Sequence, residues 1–136
     1  MEKVRQVIIK EKIITLIFLA ALSSRLIFLS HWLEDWDSVQ FAISLQNYSV
    51  ADNLPHAPGY PLYVLLGKIL LFFTQNEILA LTLLSAIFGS LSVILIYFLT
   101  KKLFDKMAAI FSSLLFITIP IGWNLSTVAL TNMPGL

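Results

Sequence analysis

Most of the titratable side chains that could transfer a proton lie in one stretch of the chain, residues 31–62, which contains no lysine or arginine. They are His31, Glu34, Asp35, Asp37, Asp52 and His56. Carboxylates and imidazoles are the usual general acids and bases of enzymes. Such groups commonly act from loops held by a rigid scaffold. The stretch 31–62 is therefore the predicted functional region.

Asp37 is the strongest candidate for a catalytic base, and its neighbours also suggest a structural role. Asp37-Ser38-Val39-Gln40 has the form of a capping box, in which the first side chain accepts backbone N–H groups at the start of a helix. We therefore predict a helix over 38–48 with Asp37 as its cap. A cap also fixes a carboxylate in space, so the two roles are compatible. Asp35 is the alternative base.

The run His56-Ala57-Pro58-Gly59-Tyr60-Pro61 predicts a rigid turn that leads into a helix. Proline and glycine restrict or specify the backbone of the turn, and Pro61 suits the first turn of a helix, where its missing N–H is not needed. His56 is a candidate for substrate binding. No metal site is predicted, because His31 and Asp35, one helical turn apart, supply only two ligands.

Two cations lie within apolar segments. Arg25 is about 18 Å along a first helix that starts near Ile13, and Lys68 is in the middle of the apolar stretch Pro61–Phe73. A cation at such depth either extends to the membrane surface or pairs with an anion inside the protein. Both readings stay open, and the second makes Arg25 and Lys68 candidate phosphate ligands.

The composition indicates an integral membrane protein. Hydrophobic residues make up 58% and charged residues 12% of the 136 residues, whereas soluble domains carry roughly 25% charged residues. The net charge of +1 argues against nucleic acid as a partner. There is no cysteine, so no disulfide can form.

Hydropathy and charge together predict an all-α fold with three transmembrane helices. Basic clusters before residue 13 and at Lys101–Lys106 both belong in the cytoplasm by the positive-inside rule. Both clusters are cytoplasmic only if the short stretch Pro61–Phe73 lies in the membrane interface, because a crossing there would put Lys101–Lys106 outside. The predicted order is a cytoplasmic tail (1–12), a span (13–30), an extracytoplasmic loop with juxtamembrane helices (31–76), a span (77–100), a cytoplasmic loop (101–106), a span (107–128) and an outer end (129–136).

In these motifs the sequence resembles the N-terminal part of the GT-C superfamily of membrane glycosyltransferases, close to the dolichyl-phosphate-mannose protein mannosyltransferases. The matching elements are Asp37-Ser38-Val39-Gln40-Phe41-Ala42, His56-Ala57-Pro58-Gly59-Tyr60-Pro61, Leu83-Leu84-Ser85-Ala86 and Lys101-Lys102. Their order and spacing match over nearly the whole chain, and the run starting at His56 is the most specific. The chain ends early for such an enzyme, so we expect it to be an N-terminal fragment.

The resemblance implies inverting transfer of a sugar from a polyprenyl-phosphate donor to a protein or glycan acceptor at the outer membrane face. Asp37 matches the family's base. Tyr60 belongs to the matching turn, and Asn132 stands in a second loop motif where relatives often have an acid. Ser38 stands where many family members have Glu, so the resemblance does not establish a metal-binding role at this position. No cofactor is assigned, and binding of a divalent metal is left as an open alternative. Arg25, His56, Tyr60, Lys68 and Asn132 are the expected substrate-binding residues.

Two other functions are compatible with the composition. A small transporter or channel subunit would pair Asp37 with Arg25 inside the membrane and would need a polar stripe along the later helices. The segment 78–100 offers only scattered small hydroxyl residues. An inactive fragment of an enzyme is the third reading.

The predicted topology can be tested by single-cysteine labelling, since the chain contains no native cysteine. In intact cells, a membrane-impermeant thiol reagent should label Asn53→Cys in the outer loop and should leave Asp105→Cys in the cytoplasmic loop unlabelled. Permeabilised cells should show labelling of both variants. External labelling of Asp105→Cys would contradict the arrangement.

Overall fold

The structure, a computed structural model, describes residues 2–131, with side chains from residue 12 onward. Helix makes up 74% of it, and the described range contains no β-strand. The helices are α1 (Glu2–Leu26), α2 (Trp36–Gln46), α3 (Pro61–Thr74), α4 (Glu77–Leu103), α5 (Lys106–Thr118) and α6 (Pro120–Leu125), with a single 3₁₀ turn at Val50–Asp52. The all-α prediction is confirmed for this range.

Local sequence accounts for most helix boundaries. The Asn76 side chain accepts the Leu79 N–H at 2.9 Å and begins α4. Asp105 does the same for α5 through the Ala108 N–H at 2.8 Å. Pro61 opens α3 as predicted, because a proline at the first helical position loses no hydrogen bond.

Helix α4 is the element against which the others pack. At its start, Ala80, Leu81 and Leu84 meet buried residues of α2 and α3. Towards its end, Val93 and Tyr97 meet buried residues of α1 and α5. The bundle therefore has two apolar clusters joined by one helix. Residues 31–76 belong to the end of the bundle where α4 starts, and Lys101–Lys106 to the other end.

The small hydroxyl residues of α4 serve close packing rather than a polar pathway. Thr82, Ser90 and Ser92 are buried. Their hydroxyls donate to carbonyls of the same helix, at 2.9 Å to Ile78, 2.7 Å to Ala86 and 2.9 Å to Phe88. A hydroxyl bonded in this way has no free proton to donate to a neighbour.

By length and composition, only α4 among the described helices is able to cross a membrane. Its 27 residues extend over about 40 Å, compared with a bilayer core of about 30 Å. Helices α3 and α5 are apolar but shorter. Helix α1 ends at Leu26, earlier than the predicted span 13–30.

The apolar segment 107–128, predicted as one span, is divided into α5 and α6 in the structure. Ile119 ends α5 and precedes Pro120, with extended backbone angles. Proline has no N–H to continue the helix and disfavours helical backbone in the residue before it. The break therefore follows from Pro120, a signal that hydropathy alone does not register.

Gly89 offers a test of how closely the bundle packs. A Cβ at this position would meet Ser126 Oγ and would lie 2.6 Å from Ser126 Cβ and 3.2 Å from Arg25 Nε. We expect Gly89→Ala to lower the thermal unfolding midpoint in detergent. An overpacking cost of about 1–3 kcal/mol should exceed the gain in helix propensity of about 1 kcal/mol.

Gly122→Ala is the matched control, because its nearest neighbour would be the end of the Ile119 side chain at 3.0 Å. It should be clearly milder than Gly89→Ala. Adding Ser126→Gly to Gly89→Ala removes the two closest atoms and should restore stability. A Gly89→Ala protein as stable as the parent would disprove the close contact.

Candidate active site

The first turn of α2 carries Asp37, but Asp37 is not its cap. Asp35 is the N-cap, and Ser38 closes the turn. The Asp35 N–H donates to Ser38 Oγ at 3.1 Å, and this hydroxyl donates to the Asp35 carbonyl at 2.6 Å. The prediction of an Asp37 cap on a helix over 38–48 is therefore wrong. A capping box on Asp37 would need the Gln40 side chain, which is bonded elsewhere.

Displaced from the cap position, the Asp37 carboxylate is available to a ligand. Its side chain is 54% exposed, and it accepts no hydrogen bond from the residues that the structure describes with side chains. It lies in the first turn of α2, where unpaired backbone N–H groups stabilise a negative charge. Asp37 is thus an ionisable group at the surface with free acceptor capacity.

A tight turn holds His56 opposite α2. The Gly59 N–H donates to the His56 carbonyl at 2.9 Å. Gly59 has a φ of +87°, and a Cβ there would lie 2.5 Å from Val50 Cγ2. Only glycine fits both conditions. The predicted rigid turn before the helix at Pro61 is therefore present.

The Gln40 side chain joins α2 to this turn. Gln40 is only 5% exposed. The His56 backbone N–H donates to Gln40 Oε1 at 3.3 Å, and His56 Nδ1 lies 2.8 Å from the same oxygen. One buried amide thereby fixes both the backbone and the ring of His56.

The turn also brings the imidazole close to Asp37. His56 Nδ1 lies 3.7 Å from Asp37 Oδ1, and the His56 side chain is 30% exposed. This distance is too long for a hydrogen bond but short enough for charge interaction. The two strongest candidates from the sequence therefore share one surface.

Aromatic rings support the site from below. The ring of Phe41, which is 1% exposed, lies at centroid distances of 5.9 Å from His56, 5.3 Å from Tyr60 and 4.8 Å from Tyr63. Tyr60 and His56 are 5.4 Å apart. The Tyr60 and Tyr63 pairs have the edge-on arrangement that aromatic rings favour. Burial raises the pKa of Tyr63, which keeps this phenol neutral.

Arg25 lies in a different place, inside the bundle. It is 0% exposed, so it does not extend to the surface. Nη1 donates to the Ala21 carbonyl at 2.9 Å, whereas Nε and Nη2 have no hydrogen-bond partner in the described part of the chain. Nε and Nη2 form the edge of a guanidinium that binds carboxylate or phosphate through two bonds.

The remaining candidates are not brought to Asp37. Lys68 is exposed on α3 and has no polar contact with Asp37 or His56 among the described side chains. Asp35 is engaged as the helix cap. Asn132 lies outside the described residues. The structure therefore groups Asp37, His56 and Tyr60 and leaves Arg25 and Lys68 apart.

A metal has no evident site in this region. Within residues 12–131, no group of three His, Asp or Glu side chains could hold an ion.

Gln40 and Phe41 are the site residues that sequence reasoning missed. Both are buried, whereas the sequence indicated only a capping role for Gln40. Their signal was their spacing from Asp37, since positions three and four residues apart share one face of a helix. The face of α2 that carries Asp37, Gln40 and Phe41 is directed towards the His56 turn, where Gln40 finds its hydrogen-bond partner.

The segment that contains Asp37 and the His56 turn matches a known protein family. A family model described as the protein O-mannosyl-transferase TMEM260 N-terminal domain matches residues 37–129. This chain belongs to that family. The match begins at Asp37 and includes His56, Tyr60 and Lys68, whereas Arg25 precedes it. Neither a curated protein nor a solved structure matches the chain. Membership supports a mannosyltransferase-like domain.

Arg25→Lys tests whether the free guanidinium edge is used. Lysine keeps the charge but cannot make two parallel bonds. If Nε and Nη2 bind an anion, transfer activity of the complete gene product should fall about 10- to 100-fold, which corresponds to the loss of one charge-assisted bond.

The thermal unfolding midpoint measured on the same preparations separates this effect from misfolding. Ser24→Ala serves as the control, since Ser24 Oγ donates to the Ala21 carbonyl at 2.8 Å and accepts only a long 3.4 Å bond from Nη1, away from the free edge. Parent-level activity in a stable Arg25→Lys protein would show that the two free donors bind nothing that the reaction needs.

Proposed function

We propose that this chain contributes the catalytic base and part of the donor site of a GT-C-type glycosyltransferase. The reaction would move mannose from a polyprenyl phosphate to a protein hydroxyl, with inversion at the anomeric carbon. The observation that carries the proposal is the exposed Asp37 carboxylate beside His56, which accepts no hydrogen bond from the described side chains and lies in the segment matched by a protein O-mannosyltransferase family model.

In the proposed reaction, Asp37 acts on the acceptor hydroxyl. The hydroxyl oxygen attacks the anomeric carbon, and the bond from that carbon to the phosphate oxygen breaks. Asp37 takes the hydroxyl proton, and the polyprenyl phosphate leaves with the electron pair. General-base catalysis of this kind requires a carboxylate that is ionised and reachable. The exposure of Asp37 supports the second requirement.

A lipid-linked donor is supported by the apolar surface around the site. One side of α3 packs on the bundle, and the other leaves Leu62, Leu65 and Phe72 more than half exposed. Such a face suits lipid rather than water. We propose that α3 lies in the outer interface, that residues 31–76 are extracytoplasmic and that the N-terminus is cytoplasmic.

The leaving phosphate would need a cation, because its charge develops as the bond breaks. Arg25 has two free donors for it, and Lys68 is exposed on α3. Arg25 is buried and neither cation contacts Asp37 or His56 in the described part of the chain, so we propose either as a phosphate ligand only on condition that the donor cavity reaches it; of the two, only Arg25 offers a two-pronged edge. His56 and Tyr60 would bind the substrate beside Asp37, and Asn132 is retained as a further proposed contact.

Asp37→Asn tests the proposed base. The substitution removes proton affinity but keeps size and polarity. It should cost at most about 1 kcal/mol of stability through the helix dipole. Transfer from a polyprenyl-phosphate mannose to a serine- or threonine-containing peptide should fall about 10²- to 10⁴-fold, measured on the complete gene product in membranes.

Asp35→Asn is the matched control, because asparagine caps a helix as well as aspartate does. It should retain near-parent activity. Near-parent turnover in a folded Asp37→Asn protein would remove Asp37 as the base. A loss confined to Asp35→Asn would transfer that role to Asp35.

A further inference from the structure

The hydrogen bonds of Gln40 determine which nitrogen of His56 carries the proton. The His56 backbone N–H can only donate, so the Gln40 atom that it meets at 3.3 Å must be the carbonyl oxygen. The same oxygen lies 2.8 Å from Nδ1. Because a carbonyl oxygen can only accept, Nδ1 must be the donor.

A neutral imidazole has one N–H, so a proton on Nδ1 leaves Nε2 with a lone pair. We infer that Gln40 is a positioning residue that holds His56 in its Nδ1–H form, and that the free Nε2 accepts a hydrogen bond from a ligand hydroxyl. A neutral ring of this form cannot donate from Nε2 to a phosphate. The ligand class at His56 is therefore a hydroxyl of the sugar or of the acceptor. Only this assignment of the ligand rests on the proposed function.

The same arrangement protects the acceptor capacity of Asp37. A histidine with a free Nδ1–H would turn it to the nearest carboxylate, as in the Asp–His pairs of many enzymes. Here Nδ1 is 2.8 Å from Gln40 Oε1 and 3.7 Å from Asp37 Oδ1. Gln40 therefore takes the proton donor that would otherwise occupy Asp37. The carboxylate stays open to a substrate hydroxyl.

The alternative is a protonated ring, in which both nitrogens donate and Asp37 acts as the counter-ion. Among the described residues, Asp37 is the charged group that lies within ion-pair distance of His56. The two states differ in the number of ring N–H groups, so spectroscopy distinguishes them directly.

The chain contains two histidines, and His31 is exposed. His31→Gln therefore leaves His56 as the only source of imidazole signals in a ¹⁵N-histidine-labelled protein. Long-range ¹H–¹⁵N spectra at neutral pH should show a protonated Nδ1 and a non-protonated Nε2. A ring with Nε2 protonated, or with both nitrogens protonated, would overturn the inference.

Variants of Gln40 test whether it sets this state. Gln40→Leu should lose the Nδ1–H form as the major species, because leucine offers no acceptor to Nδ1. Gln46→Leu is the matched control on the same helix, because Gln46 bonds Glu77 at 2.8 Å instead. A spectrum unchanged in Gln40→Leu would show that Gln40 does not position the ring.

Two substitutions of His56 distinguish hydroxyl from phosphate recognition. His56→Gln offers an acceptor oxygen on a side chain of similar reach, and His56→Lys offers only donors. Transfer activity should be at least about 10-fold higher in the glutamine variant, the equivalent of one hydrogen bond. Equal loss, or better activity in the lysine variant, would overturn the hydroxyl assignment. If no variant or parent transfers mannose, the proposed function fails while the spectra still decide the state of His56.

Discussion

Close packing on α4 is the constraint on which the rest of the molecule depends. Residues with small side chains line its buried face, including Ala80, Ala86 and Gly89. Between helices in lipid there is little hydrophobic driving force, so association relies on short contact distances and internal hydrogen bonds. Because α4 is narrow, α1, α3, α5 and the segment after α6 can all reach it. Each cluster of the core is an interface with this one helix.

The candidate site inherits its geometry from that packing. Helix α2 packs more extensively on α3 than on α4. Its main aromatic contact is Phe41 against Tyr63 of α3. Gly67 lets Leu45 of α2 and Leu81 of α4 approach the same point of α3. The His56 turn is then fixed from two sides, by Gln40 and by the start of α3. Precision at Asp37 and His56 thus comes from apolar contacts that take no part in the chemistry.

The sequence supports the fold class, the start of α3 and the grouping of Asp37 with the His56 turn, because each follows from local composition or from proline and glycine. The start of α2 could not be read locally. Asp35 and Asp37 are both good caps with a polar residue three positions on, but Ser38 bonds back to Asp35, whereas Gln40 bonds His56, 16 residues away. The burial of Arg25 was equally out of reach, since Gly89, which lies near its Nε, is far along the chain. Local rules specify candidates, and tertiary hydrogen bonds select among them.

The break at Pro120 has a consequence for the interior of the bundle. Ala109 and Tyr97 share one cluster, and a straight helix from Ala109 to Ser126 would rise about 26 Å. In the structure, Ser126 instead lies beside Gly89 of α4. Gly89 is only about 12 Å from Tyr97 along that helix, which is less than half of the straight-helix rise. The chain after α6 therefore runs as non-helical backbone at mid-height. Its carbonyls are bonded by the Ser30 N–H at Thr127, at 2.9 Å, and by Ser85 Oγ at Leu130, at 3.2 Å. Irregular backbone is tolerated in an apolar surrounding only when its peptide groups are bonded within the protein, and the bonds at Thr127 and Leu130 meet that condition.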